Sequence, residues 1–310
     1  MFKVLVTGGL GFIGSCVVRL LVDQQHSVVI FDNESTGDNY FEHELVTFIR
    51  GDVSVPSDFE KLPSDITHVI HLAAAISVAE SMTDPEKYMG INVEGSKHVL
   101  SWALNNNVTK LASASSAAVY GATQQLPINE SVPTEPISPY AESKLQMEYL
   151  HKSFNQQGLR CSCFRFFNVY GPRQKPSNPY SGVISKFMEM AFSGSPLTIF
   201  GDGLATRDFI SVFDISNALI TYLFSDVNDY DVYNVGTESV TSINDLARIC
   251  IDITQSTSTI KYGPERDGDI KHSLSDSAKI RRVFGWSPKV KLFDGLSVTY
   301  KWFVGTIEDN

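Results

Sequence analysis

Short apolar runs rich in β-branched residues alternate along the chain with stretches of helical period. The runs 2–6, 28–31, 46–49, 68–72, 110–113 and 161–167 predict buried strands. Ile13, Val17, Leu20 and Leu21 recur at helical spacing after the first run, and a long helix is predicted over about 85–106. Strands of this kind joined by helices imply a parallel sheet covered on both faces. Right-handed crossovers make such a sheet doubly wound. Beyond about residue 171 the regular alternation stops. Pro172, Pro176 and Pro179, with Ser177 and Ser181, mark a loop, and shorter elements follow. The expected fold class is α/β. A doubly wound parallel sheet takes up 1–170 and is rejoined near 213–235. A smaller, discontinuous α/β domain takes up 171–212 and 236–310.

Composition narrows the classes of function. The chain has 310 residues, 43% of them hydrophobic and 19% charged, which excludes a mostly disordered polypeptide. Thirty-five acids against 25 bases give a formal charge of −10. The overall field therefore opposes nucleic acid and anionic membrane surfaces as partners. A phosphorylated ligand has to be held by local donors. No run reaches the roughly 18–20 apolar residues of a membrane helix. The first residues enter a strand at once, without the charged and apolar regions of a signal peptide. Cys16, Cys161, Cys163 and Cys250 form no CxxC pair and are too sparse for a disulfide or zinc framework. A cytoplasmic protein without a structural metal is expected.

Three features carry chemistry. The first is Thr7-Gly8-Gly9-Leu10-Gly11-Phe12-Ile13-Gly14, between the first strand and the first helix. Glycines there let backbone approach a pyrophosphate, and the helix N-terminus adds free N–H groups and partial positive charge. The spacing is Gly8-x2-Gly11-x2-Gly14 rather than GxGxxG. The second feature is Asp32 at the end of the second strand. An acid there accepts bonds from the adenosine ribose hydroxyls and repels a 2′-phosphate, which favours NAD over NADP. Asp52, after the third strand, can bond the adenine amine or cap a turn. The third is Ser138-Pro139-Tyr140-Ala141-Glu142-Ser143-Lys144, which has the cap and first-turn chemistry of a helix start. Tyr140 and Lys144 then share one helix face. A nearby ammonium favours the phenolate, poising Tyr140 as a general base. Ser115 and Ser116 follow the fifth strand, at the sheet edge where open α/β folds bind ligands.

With Asn92, 71–75, 115–121, 167–174, 201–203 and 206–209, these motifs resemble those of the extended short-chain dehydrogenases/reductases. The resemblance is specifically to the NAD-dependent nucleotide-sugar epimerases and dehydratases. It runs nearly end to end and implies a Rossmann-type NAD-binding domain and a nucleotide-sugar domain. It implies Ser116, Tyr140 and Lys144 as the catalytic set, with Lys144 also bonding the nicotinamide ribose. The implied cofactor contacts are Gly8, Gly11, Phe12, Ile13, Gly14, Asp32, Asn33, Asp52, Val53, Leu72, Ala73, Ala74, Asn92, Tyr140 and Lys144. The implied substrate contacts are Ser116, Asn168, Val183, Phe200, Arg207, Arg266, Asp269 and Ser273. Arg207 and Arg266 supply forked donors for a diphosphate. A homodimer through 85–106 and 139–157 is also implied.

Within this family the 4,6-dehydratases carry an Asp-Glu pair just after the catalytic Ser/Thr. Here Ala117 and Ala118 stand there, and neither can move a proton. What is left is reversible oxidation at C4 of a UDP-sugar, that is, a 4-epimerase needing only bound NAD. Ser273 aligns with a position that is a bulky tyrosine in glucose/galactose-restricted epimerases and small where N-acetylated sugars are accepted. It reads as a specificity residue or as an exposed loop serine. The alternatives are an epimerase or reductase for UDP-glucuronate or a dTDP-deoxyhexose, or a non-catalytic dinucleotide sensor.

Overall fold

Strands β1 (Lys3–Thr7), β2 (Ser27–Asp32), β3 (Val46–Arg50), β4 (His68–His71), β5 (Lys110–Ser116) and β6 (Cys161–Phe166) are laid down in turn. Helix α1 (Phe12–Asp23) connects β1 to β2. Between β4 and β5 the chain forms α2 (Val78–Thr83), α3 (Pro85–Tyr88), a π-helical turn (Met89–Glu94) and α4 (Gly95–Asn105). Helix α5 (Pro139–Gln156) precedes β6. The remaining elements are β7 (Asn168–Tyr170), α6 (Val183–Phe192), β8 (Leu197–Phe200), β9 (Thr206–Arg207), β10 (Phe209–Ser211), α7 (Val212–Leu223), β11 (Val232–Val235), β12 (Thr241–Ser242), α8 (Ile243–Thr254), β13 (Ile260–Gly263), α9 (Ala278–Phe284) and α10 (Leu292–Phe303). The computed structural model describes residues 2–174, 182–265 and 270–305.

Seven strands form one sheet in the order β11-β6-β5-β4-β1-β2-β3, and every pairing is parallel. The order reverses between β1 and β4, the switch point at which such sheets bind ligands beyond their carboxyl ends. Strand alternation places successive side chains in different cores. Val4 and Val6 lie in the layer with α1 and α7, and Leu5 lies in the layer with α4. Val28 and Ile30 against Val29 and Phe31 repeat the pattern. This two-sided burial accounts for near-continuous apolar runs in place of alternating ones.

A third core, around Tyr170, Ile184, Phe187, Leu197, Phe209, Leu246 and Leu296, unites α6, α8 and α10. The pair β8–β13 belongs to this part of the fold. Helix α9 differs from the expected division of the chain. Ile280, and Trp286 just beyond the helix, pack into the sheet-side core with α7, although they fall within the stretch 236–310. The tertiary packing, invisible to a linear boundary, returns this helix to the sheet. The long helix predicted over 85–106 is also interrupted. Its π-helical turn widens the backbone at Asn92. Among the described residues no helix is long and apolar enough to cross a membrane.

Candidate active site

The glycine-rich turn is shaped by steric necessity. Gly8 has φ +70°, and a Cβ there would lie 2.7 Å from the Ala73 nitrogen. A Cβ on Gly14 would lie 2.1 Å from the Gly8 carbonyl oxygen, so the helix can approach the turn only with glycine. Gly11 is the N-cap of α1 and brings no capping side chain, which leaves the first-turn amides to a ligand. The Phe12 and Ile13 amides are among them; the Ile13 side chain packs against the sheet-side core. Asp32 is buried, and its oxygens accept the Leu10 amide at 3.0 Å and the Glu34 amide at 2.9 Å. Burial pushes its carboxyl above the ordinary value. Asn33 donates to Asp52 at 2.8 Å, while Asp52 also caps Ser54. The Val53 side chain lies in the core beside α4. An uncapped helix start, a glycine cradle and a strand-end acid together fit a dinucleotide.

Leu72, Ala73 and Ala74 follow β4 and stay partly accessible. Thr7 Oγ1 accepts the amides of Leu72 and Ala73 at 3.2 and 3.3 Å. Its proton is therefore left for His71 Nδ1, 2.7 Å away. Burial holds His71 neutral, so its Nε2–H donates to Ser96 at 2.9 Å, and Ser96 in turn donates to the Asn92 carbonyl at 2.5 Å. The tautomer follows from this one-way chain. Asn92 itself departs from the expected cofactor contact. Its side chain is buried, bonded to both backbone groups of Ala75 and to Ser143. It braces the loop after β4 against α5 and does not present its amide to a ligand.

Ser138 caps α5, accepting the Ala141 amide at 3.2 Å, and Pro139 occupies the first turn. This start presents Tyr140 toward the end of β5. Ser116 Oγ accepts the Ala118 amide at 3.1 Å, and its hydroxyl favours the phenolate of Tyr140. Tyr88 meets the Tyr140 ring edge-on at 6.3 Å. Lys144 does not play the expected part in the protein alone. Its ammonium donates to the Ala114 carbonyl at 2.9 Å, and burial lowers it to about 8. Burial likewise pushes the Tyr140 phenol above its ordinary value. The expected lowering of the phenol is therefore absent without a further positive charge. Ser115, on the opposite face of β5, donates at 2.5 Å to Glu148, which forms a buried ion pair with Arg165.

A cleft of about 180 Å³ brings Ser116, Asn168, Arg207 and Ser273 together from four separate stretches of sequence. Ala117 and Ala118 also line it, so no acid stands at either position. Arg207 donates to the Thr206 carbonyl at 2.9 Å. Next to it, Asp208 is fully buried and accepts from Thr237, Glu238 and Ser275, fastening this wall of the cleft. Val183 opens α6 and Phe200 ends β8 with an exposed ring; neither lines this cleft. Arg266 and Asp269 lie outside the described residues. Thr123, Ile128, Phe167, Ile270 and His272 also line the cleft, although none is among the implied contacts. Phe167 reads equally well as core, being 5% exposed. His272 is joined to Thr206 by a parallel bridge.

Comparison with known proteins agrees with this geometry. A family model described as NAD dependent epimerase/dehydratase family matches residues 4–236. The chain is 35% identical to a UDP-glucose 4-epimerase of Mycolicibacterium smegmatis, with 97% of this chain and 98% of that one aligned. It superposes on the UDP-N-acetylglucosamine 4-epimerase from Methanobrevibacter ruminantium, solved with UDP-N-acetylmuramic acid. The TM-score is 0.93 at 40% identity, covering 99% of each chain. Thermus thermophilus UDP-glucose 4-epimerase, solved with NAD, gives a TM-score of 0.90 at 33% identity, covering 99% of this chain and 100% of that one. On its sequence and its fold alike, the chain belongs to the NAD dependent epimerase/dehydratase family.

Proposed function

We propose that the protein is an NAD-dependent 4-epimerase of UDP-sugars, acting on UDP-glucose and UDP-galactose and on the larger UDP-N-acetylhexosamines. The observation that carries this reading is the cleft shared by Ser116, Asn168, Arg207 and Ser273, with no acid at 117 or 118. Such a site can take a proton from a sugar hydroxyl and return it. Ala117 and Ala118 offer no acid to expel water from the sugar.

In this reading the glycine turn and the amides of Phe12 and Ile13 hold the pyrophosphate of NAD. Asp32 and Asn33 take the ribose, Asp52 and Val53 the adenine end, and Leu72, Ala73 and Ala74 line the path to Tyr140. When bound, NAD would supply the acceptor and donor of the C4 hydride, and its positive ring would favour the phenolate. Tyr140 takes the proton of the sugar 4-hydroxyl as the ketone forms, and gives it back as the alcohol is restored. Ser116 donates to the phenolic oxygen and shares that proton. Lys144, fixed by the Ala114 carbonyl, supplies the ammonium beside the ribose. Arg207 and Asn168 orient the diphosphate, with Arg266 and Asp269 assigned to the nucleotide, and Val183 and Phe200 to its base. The molecule is read as a cytoplasmic homodimer joined through α4 and α5. Tyr149, 60% exposed on α5, supports that face, and four free buried cysteines suit a reducing compartment.

The test is to incubate purified protein with UDP-GlcNAc, UDP-glucose and UDP-glucuronate. Formation of the C4 epimer from the first two without net NADH is expected. Accumulating NADH, or no turnover of any of the three, would overturn the reading.

A further inference from the structure

The adenosine end of the dinucleotide site contains a cation that the proposed reading leaves unused. In the parallel pairing of β2 with β3, Arg50 is the register partner of Asp32. Neighbouring strands lie about 4.8 Å apart, so Arg50 rises beside the acid assigned to the ribose hydroxyls. An arginine at this edge is what a site for a 2′-phosphorylated dinucleotide employs. Here it is engaged. Arg50 Nε donates to Glu34 Oε2 at 2.7 Å. The other Glu34 oxygen accepts the Tyr40 hydroxyl.

Glu34 is held in place for this contact. Its φ is +62°, uncommon for a residue with a Cβ. Its amide donates to Asp32 Oδ1 at 2.9 Å. The loop that carries it is fastened to the glycine turn, with the Asn39 amide and side chain donating to the Leu10 carbonyl at 3.1 and 3.0 Å. Gly37 packs so closely that a Cβ would fall 2.5 Å from the Leu10 carbonyl carbon. The Arg50 side chain is 74% exposed, so the pair adds little to stability. Its consequence is in the local charge. Asp32, Glu34 and Arg50 sum to −1, and removing Asp32 alone leaves Arg50 neutralised by Glu34.

We propose that Glu34, held by Tyr40, masks Arg50 and so forms with Asp32 a double barrier to a 2′-phosphorylated dinucleotide. The proposal rests on the NAD-binding reading. It makes cofactor choice non-additive: Asp32 and Glu34 must both go before the guanidinium can reach a 2′-phosphate.

The test measures dissociation constants of NAD+ and NADP+ on nucleotide-stripped protein by titration calorimetry, and identifies the nucleotide carried through purification. Asp32→Ser is expected to bind NADP+ only weakly. Asp32→Ser with Glu34→Gln should bind it about tenfold tighter or better, the worth of one charge-assisted contact. Adding Arg50→Ala should abolish that gain. Glu34→Gly, suited to the positive φ, replaces Glu34→Gln if the latter lowers the melting temperature. Equal NADP+ affinity with and without Glu34, or a gain that survives Arg50→Ala, would overturn the proposal. Wild-type protein that fails to bind NAD+ would overturn the underlying reading instead.

Discussion

The side-chain amide of Asn92 donates to the hydroxyl of Ser143 at 2.9 Å. Ser143 passes the connection on, donating to the Tyr140 carbonyl at 2.7 Å. The π-helical turn that carries Asn92 is thereby tied to the first turn of the helix that presents the proposed acid/base. Through Ser96, His71 and Thr7 the same turn is linked to the edge of the glycine-rich loop. One buried polar network thus ties the glycine-rich turn to the helix that presents Tyr140.

Asn92→Leu should therefore cost both stability and turnover. It removes the partner of the part-buried Ala75 amide and carbonyl, a loss of up to about 1–3 kcal/mol for each group that water does not reach. Ser143→Ala, which removes one contact from the same chain, should cost less. Denaturant melts and steady-state kinetics check this: kcat should fall more than KM rises. Wild-type turnover in Asn92→Leu would remove the positioning role.

Tyr140→Phe should leave the fold and NAD binding nearly intact while turnover with UDP-sugars falls at least about a hundredfold, as expected for a lost general acid/base. Circular dichroism and the nucleotide content of the purified variant separate the outcomes. Loss of NAD would mark Tyr140 as structural.

Burial lowers Lys144 to about 8, against an ordinary value of 10.5. Between these values the unfolded chain binds the proton more readily than the folded one. Stability contributed by this group therefore rises with pH from about 8 to 10.5, by up to about 1.4 kcal/mol per pH unit. Below about 8 both states are protonated and the dependence vanishes. The stability difference between wild type and Lys144→Met, measured by urea unfolding across pH 7–11 on nucleotide-free protein, isolates this contribution. A flat difference would show that Lys144 titrates normally.

Ser273 lines the cleft with its side chain only partly covered. Ser273→Tyr should fill that space and depress kcat/KM for UDP-GlcNAc about tenfold or more relative to UDP-glucose, the scale of discrimination that pocket size alone achieves. Parallel assays on both sugars test it. Equal losses would remove Ser273 from the specificity argument.

Locally encoded features were legible in the sequence. Strands buried on both faces announce themselves as apolar runs, as in Lys3–Thr7 and Ser27–Asp32. Ser138 and Pro139 specify the start of α5 by cap chemistry that needs only neighbouring residues. The alanines at 117 and 118 could be read without any coordinates. Asn92 was legible as a motif residue, but not its direction. A side chain's partner depends on which segments the sheet brings beside it, and Ala75 and Ser143 are 17 and 51 residues away.

The sequence by itself determined the α/β order, the glycine-turn chemistry and the residue types at the proposed catalytic positions, because each rests on spacing within one or two elements. Only the tertiary structure decided that α9 packs on the sheet side and that Asn92 is a brace. It also decided that Lys144 bonds the Ala114 carbonyl, and that Ser116, Asn168, Arg207 and Ser273 share one cleft. The physical reason is burial. Desolvation governs the protonation of Tyr140 and Lys144 and the pairing of buried polar groups such as Asn92. Burial is a property of segments distant in sequence packing together, and linear order does not record it.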